Sequence, residues 1–270
     1  MANVSSGIKH TYTVTMTELS LRSPVTSTEA GDGAPIYYVA ETPSTMDDAR
    51  RLARRGTRSG TVVLTDYQSA GRGRRAGRAW HSPPRESLMF TLLLLRPEEP
   101  VTCSLAMAAA VVRLLEAETR LAPEVKWPND VLVDGRKICG ILADHDGTWL
   151  ALGVGLNVRQ SAFPEEIAPR ATSVVRERPE HPCAREPWEG CRNRLLVGLL
   201  QAYLDAREDW REVLEERLWM RGREVTLVSP GGRRLQGEVA GLESDGRLRL
   251  RNAAGLHRIA AGEVSLTGSP

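Results

Sequence analysis

None of the four cysteines, Cys103, Cys139, Cys183 and Cys191, forms a CxxC pair or stands near a histidine cluster. A structural zinc site is therefore not expected. Cys103 and Cys139 fall in apolar runs and read as buried, reduced thiols; Cys183 and Cys191 read as thiols too, with a bridge between them as the alternative. No stretch of about 18 apolar residues occurs, so no membrane span is expected. The N-terminus lacks the apolar core of a secretion signal, which leaves a cytoplasmic location as the expectation. The net charge of +2 is too small to predict nucleic-acid binding by itself. Lysine is scarce: Lys9, Lys126 and Lys137 are the only three among 36 basic residues. A chain so biased to arginine has kept lysine where a compact ammonium matters, and two of the three lie close together in its most motif-like stretch.

The length of 270 residues fits one large domain and one small one. Residues 1–34, rich in Ser and Thr, read as a poorly ordered extension with one short strand at 11–16. They are too few and too weakly periodic for a DNA-binding helix-turn-helix. Residues 35–220 alternate strand and helix signals. Strands are predicted at 36–40, 61–67 and 87–95. A helix begins at Ser44 as N-cap, with Asp47 and Asp48 in its first turn, and a second covers 101–119, apolar on all sides over 106–112. Strands at 125–127, 131–133, 138–144 and 148–154 are joined by Asp-Gly turns, which argues for an antiparallel or mixed sheet. A polar loop over 176–187 precedes a long amphipathic helix over 188–218. From residue 221 onward, short alternating strands at 225–228, 234–242, 248–251 and 256–259 predict a small β-barrel.

Three segments carry candidate chemistry. The first is the Gly/Arg loop 70–80. Its glycines let backbone approach a ligand, and its guanidiniums suit carboxylate or phosphate. In extended chain Arg72 and Arg74 point the same way and converge on one anion; a solvated basic loop is the plain alternative. The second is Lys126-Trp127-Pro128-Asn129-Asp130, followed by Gly135-Arg136-Lys137. Pro128 ends a strand, Asn129 and Asp130 sit on the bend, and Lys137 faces them across a hairpin; an ordinary polar turn is the alternative. The third is Gly153-x-Gly155-x-Asn157, read as a strand end, where Asn157 is placed to meet a base edge. Ser44, Thr45 and Gln68 are polar groups suited to a small neutral ligand.

In this order, the GRGR loop ending in Trp80, KWPND, GRK followed by Gly140-Ile141-Leu142, and GxGxN resemble the biotin–protein ligase family, most closely between residues 38 and 157. The resemblance implies an α/β (α+β) catalytic domain with a mixed, largely antiparallel sheet and flanking helices, then an SH3-like barrel. It implies biotin and ATP as substrates and Mg²⁺ as cofactor. The acceptor would be a biotin carboxyl carrier protein of acetyl-CoA carboxylase or a related carboxylase, and the enzyme a monomer or weak homodimer that binds neither DNA nor membrane. Carried over by position, Ser44, Thr45, Met46 and Gln68 hold biotin, with Met46 standing where the family usually has Asn. Arg72, Gly73 and Arg74 close over the biotin carboxylate and the adenylate. Lys137 reaches the carboxylate and the α-phosphate, with Arg72 and Arg74 sharing the catalytic role. Trp80 packs near adenine; Arg75, Asn129, Asp130 and Asn157 surround the nucleotide, and Asp130 is the metal candidate. One extra residue, Ala76, leaves the roles of Arg75 and Arg78 open. A lipoate or octanoyl-transfer enzyme and a non-enzymatic nucleotide- or nucleic-acid-binding module are the competing readings.

Overall fold

The computed structural model describes residues 16–18, 34–74, 77, 79–97 and 99–266. An eight-stranded sheet runs in the order β1-β2-β3-β4-β8-β7-β6-β5. Its strands are β1 (Met16–Glu18), β2 (Ile36–Thr42), β3 (Thr61–Gln68), β4 (Ser87–Leu95), β5 (Glu124–Lys126), β6 (Asp130–Val133), β7 (Arg136–His145) and β8 (Trp149–Asn157). β1–β2 and β2–β3 pair in parallel and the remaining neighbours antiparallel. The mixed, largely antiparallel sheet expected from the sequence is thus present. Apart from Met16, the strand expected at 11–16 lies outside the described residues.

The central strands β4 and β8 explain both faces of the sheet. Along β8, Leu150, Leu152, Val154 and Leu156 alternate with Trp149, Ala151, Gly153, Gly155 and Asn157. The first set joins Leu88, Phe90 and Leu92 of β4 in the main core, with α2 (Pro100–Thr119) and α4 (Trp188–Arg217) over it. The second set shrinks in size from Trp to Gly. Its bulky end packs with Leu93 and Met46 in a small second cluster under α1 (Thr45–Arg54), leaving the glycine end open.

α2 is long and apolar enough to cross a membrane, with a mean hydropathy of 1.5 over its best window, which the sequence reading did not expect. Its apolar circumference has a local cause, since it packs against α4 on one side and the sheet on the other. α4 bends at Asp209, whose φ of −131° is non-helical, and Arg113 of α2 reaches Asp209 there at 2.5 Å. A buried ion cluster ties α4 to the sheet: Asp66 of β3 accepts from Arg192 at 2.5 Å, Trp188 Nε1 at 2.9 Å and Tyr38 Oη at 2.8 Å.

The expectation of reduced thiols at Cys183 and Cys191 is overturned, because the two form a disulfide. Cys183 lies in a 3₁₀ turn (Pro182–Ala184) and Cys191 in the first turn of α4, which brings their Cα atoms to 5.3 Å. The expected loop over 176–187 also contains the end of a short helix, α3 (Val174–Glu177). Beyond α4, a second sheet is antiparallel and ordered β12-β11-β10-β9-β13: β9 (Glu224–Val228), β10 (Arg234–Leu242), β11 (Leu248–Asn252), β12 (Gly255–Ile259) and β13 (Glu263–Leu266). β13 was not expected from the sequence.

Candidate active site

A pocket opens on the α1 face of the large sheet, above the small end of β8. It is lined by Ser44, Thr45 and Met46 at the start of α1, Gln68 at the end of β3, Arg72, Gly73, Arg74 and Trp80 of the Gly/Arg loop, Asn129, and Lys137. Its floor is glycine: Gly140 of β7 pairs with Gly155 of β8, and Gly153 lies two residues away on the same face. A Cβ on Gly155 would stand 2.6 Å from Trp80 Cε2, and one on Gly153 would stand 2.9 Å from Met46 Sδ. The glycines therefore exist to let an indole and a thioether lie flat on the sheet. Gly153-x-Gly155-x-Asn157 forms the C-terminal end of β8, the strand end expected, and β8 stays paired with both neighbours almost throughout.

One end of the pocket is polar and uncharged. Gln68 Oε1 accepts from Thr45 N at 2.9 Å and from Thr45 Oγ1 at 3.2 Å, and Thr91 of β4 donates to Thr45 Oγ1 at 2.8 Å. Ser44 occupies the N-cap position of α1, yet its hydroxyl makes no capping bond. It faces Arg72 instead, 3.5 Å from Nη2.

The other end is cationic, and a β-bulge aims it. Leu132 pairs with Lys137 and Val131 with Cys139, so Ile138 is an extra residue in β7. The bulge turns Lys137 onto the face of Gly140, where the ordinary two-residue alternation would have opposed them. A Cβ on Gly140 would lie 2.9 Å from Lys137 Nζ, so the ammonium needs that glycine to lie where it does. Nζ pairs with Asp130 Oδ1 at 2.7 Å, and the Asn129 amide donates to the same oxygen at 3.1 Å. Lys137 Nζ also stands 5.8 Å from the Trp80 ring centre. The indole Nε1 is buried without a hydrogen-bond partner.

Arg72 and Arg74 do not converge on one point, contrary to the extended-chain expectation. Arg72 and Ala79 form an antiparallel bridge, so the loop doubles back. Arg72 turns to Asp47 at 2.7 Å, and Arg74 reaches the Gly262 carbonyl at 3.0 Å, just before β13 of the C-terminal sheet. Arg75, Ala76 and Arg78 lie outside the described residues. Asn157 is also placed differently from the expectation. It is buried beyond the glycine floor and does not line the pocket, and its amide donates to the Thr172 carbonyl at 2.9 Å. Thr91 was not among the residues expected at the site, and Asp47 was expected only at the start of the helix. A threonine inside the apolar run 87–95 was the signal for the first.

Among the described residues, the one cluster of side chains spaced to hold a metal is Cys183, Glu186 and Cys191. Both sulfurs are committed to the disulfide. Burial pushes the Cys139 thiol up to about 12, so it is no nucleophile at neutral pH.

Residues 38–160 match the model of the biotin/lipoate A/B protein ligase family, and residues 222–267 that of the biotin protein ligase C terminal domain. A biotin--[acetyl-CoA-carboxylase] ligase of Mycobacterium tuberculosis is 33% identical over 264 residues, covering 92% of this chain and 94% of that protein. The chain belongs to the biotin–protein ligase family. A Bacillus spizizenii bifunctional ligase/repressor is 37% identical over 153 residues, but the match covers 53% of this chain and only 46% of that longer protein. A family structure, the biotin protein ligase of Aquifex aeolicus in complex with biotin and ATP, superposes with a TM-score of 0.73 at 28% identity. It covers 87% of this chain and 99% of that one.

The glycine floor makes a specific prediction. Alanine at 155 must displace a rigid indole, while alanine at 153 needs only a flexible thioether to move. Overpacking of this kind costs ~1–3 kcal/mol, so Gly155→Ala is expected to weaken nucleotide binding by about tenfold or more. Gly153→Ala should stay within about threefold, on the same scale. The melting temperature should fall modestly in Gly155→Ala, where overpacking outweighs the ~0.5–1 kcal/mol that alanine gains over glycine in a strand, and should hold in Gly153→Ala. Equal nucleotide affinities in the two variants would refute the platform assignment.

Proposed function

We infer that the chain is an ATP-dependent biotin–protein ligase. It forms biotinyl-5′-AMP from biotin and ATP and transfers biotin to a lysine of a biotin carboxyl carrier protein, on acetyl-CoA carboxylase or a related enzyme. The observation that carries this reading is one pocket with an uncharged hydrogen-bonding end at Thr45 and Gln68 and a cationic end at Lys137. A ureido ring suits the first and a carboxylate the second.

The chemistry follows in two displacements. A biotin carboxylate oxygen attacks the α-phosphorus of ATP, and the bond to pyrophosphate breaks. The acceptor amine then attacks the acyl carbon of the mixed anhydride, loses a proton, and AMP leaves with the electron pair. Negative charge grows on the phosphoryl oxygens in the first step, and Lys137, pre-aimed by the bulge and by Asp130, is suited to offset it. Arg72 and Arg74 close the pocket and keep water from the anhydride. Trp80 offers adenine a stacking face, and Asn129 adds a polar contact beside it. No covalent enzyme intermediate is needed. Asp130 is the carboxylate beside the cationic end, and a Mg²⁺ carried by the nucleotide's phosphates needs only one or two such ligands. When bound, that ion would neutralise phosphate charge.

We also read residues 1–34 as an extension, 35–220 as the catalytic domain and 221–270 as an SH3-like barrel. The five antiparallel strands, with β12 and β13 at the edges, support the last. A monomer or weak homodimer in the cytoplasm, acting without DNA or membrane, completes the proposal. The small net charge and the packing of α2 support it; the disulfide is uncommon in that compartment.

The test is exchange of labelled pyrophosphate into ATP. Exchange should require biotin. Exchange driven by lipoate and not by biotin would overturn the substrate, and exchange with neither would overturn the enzyme.

A further inference from the structure

Arg72 has a partner that adenylation chemistry does not itself require. Its Nη2 donates to Asp47 Oδ1 at 2.7 Å. The same oxygen accepts from Arg50 Nη1 at 2.7 Å, and Arg50 pairs onward with Asp144 near the end of β7. Asp144, Arg50, Asp47 and Arg72 thus form a row of alternating sign with no net charge. It runs from the large sheet, across the first turns of α1, to the loop over the pocket.

Asp47 has two opposing effects on a ligand carboxylate. Its charge competes for the Arg72 guanidinium. Its hydrogen bond also holds a long, 45% exposed side chain in one place. The competition is weak, because Arg50 already shares the Asp47 charge and the pair is open to water. The second effect is larger: an arginine freed into solvent must be re-ordered each time a ligand binds, an entropic loss of about tenfold in affinity.

We propose that Asp47 is the positioning residue for Arg72. It fixes one edge of the guanidinium against α1 and leaves the remaining N–H groups for the biotin carboxylate. The proposal rests on the ligase reading above. Asp47 is not assigned contact with substrate; it acts through Arg72.

The test measures biotin-dependent pyrophosphate exchange at saturating ATP in the full chain. Asp47→Ala is expected to raise the KM for biotin about tenfold and to change kcat less than twofold. Asp47→Glu should recover part of the loss. In an Arg72→Ala background, Asp47→Ala should add nothing to KM, because the residue it positions is gone. An unchanged KM in the single variant overturns the proposal. So does an equal rise in both backgrounds, which would mean that Asp47 acts by another route or only through the stability of α1. A wild-type chain with no biotin-dependent exchange would remove the ligase reading and this proposal together, which separates that failure from the other two.

Discussion

Replacing Lys137 with alanine is expected to reduce biotin-dependent pyrophosphate exchange by about 10²–10³-fold, the usual effect of deleting one pre-aimed donor to a charged transition state. Three features of the chain are spent on this one ammonium: the extra residue Ile138, the absent side chain at Gly140, and the carboxylate of Asp130. The fold should survive. Lys137 is 34% exposed and Asp130 25%, and a pair that open contributes only ~0–1 kcal/mol. Circular dichroism and the melting temperature should match the parent closely. Arginine at 137 should not rescue, since its planar fork is larger than the ammonium that Gly140 accommodates. Near-normal exchange in Lys137→Ala would mean that charge is offset elsewhere.

Asp66→Ala is expected to cause the largest loss of stability, about 3–5 kcal/mol, the range for removing one partner of a buried ion pair. Asp66 and Arg192 are both nearly inaccessible, at 3% and 2% exposure. The guanidinium also lies 4.4 Å over the Tyr38 ring, so the cluster joins β2, β3 and α4 at one point. Urea unfolding of the variant measures the loss, and a value under about 1 kcal/mol would place the cluster among dispensable contacts. The carboxyl adds a pH dependence. Burial alone would push Asp66 up, but the hydrogen bonds from Trp188 and Tyr38, with the Arg192 charge, outweigh burial and hold it below its ordinary value. A group depressed in the folded state stabilises above its unfolded pKa. This contribution is therefore complete at neutral pH and is lost as acid takes the protein down through the folded pKa. The acid limb of the parent's stability curve should flatten in Asp66→Ala.

Much of this architecture was legible in the residues. Strand and helix periods located β4, α2 and α4 nearly to the residue, because burial on one or both faces writes a clear pattern. The Asp-Gly turns gave the hairpins of β6–β7 and β7–β8, and the spacing of KWPND to Lys137 gave the approach of Lys137 to Asp130. What stayed hidden depends on contacts distant in sequence. The divergence of Arg72 and Arg74 is decided by Asp47 and by Gly262, 188 positions from Arg74. Asn157 looks like a ligand contact until Thr172 is seen to take its amide. The disulfide depends on the 3₁₀ turn that carries Cys183 back to the start of α4, which composition does not locate.

The contact between Arg74 and the Gly262 carbonyl makes the two sheets thermodynamic partners. A ligand that draws Arg74 inward must break that bond, so part of its binding free energy is stored as a looser hold on the C-terminal sheet. Linkage is reciprocal. Any molecule that favours the arrangement in which Arg74 holds Gly262 must weaken the binding of such a ligand by the same factor, and one that favours the released arrangement must strengthen it.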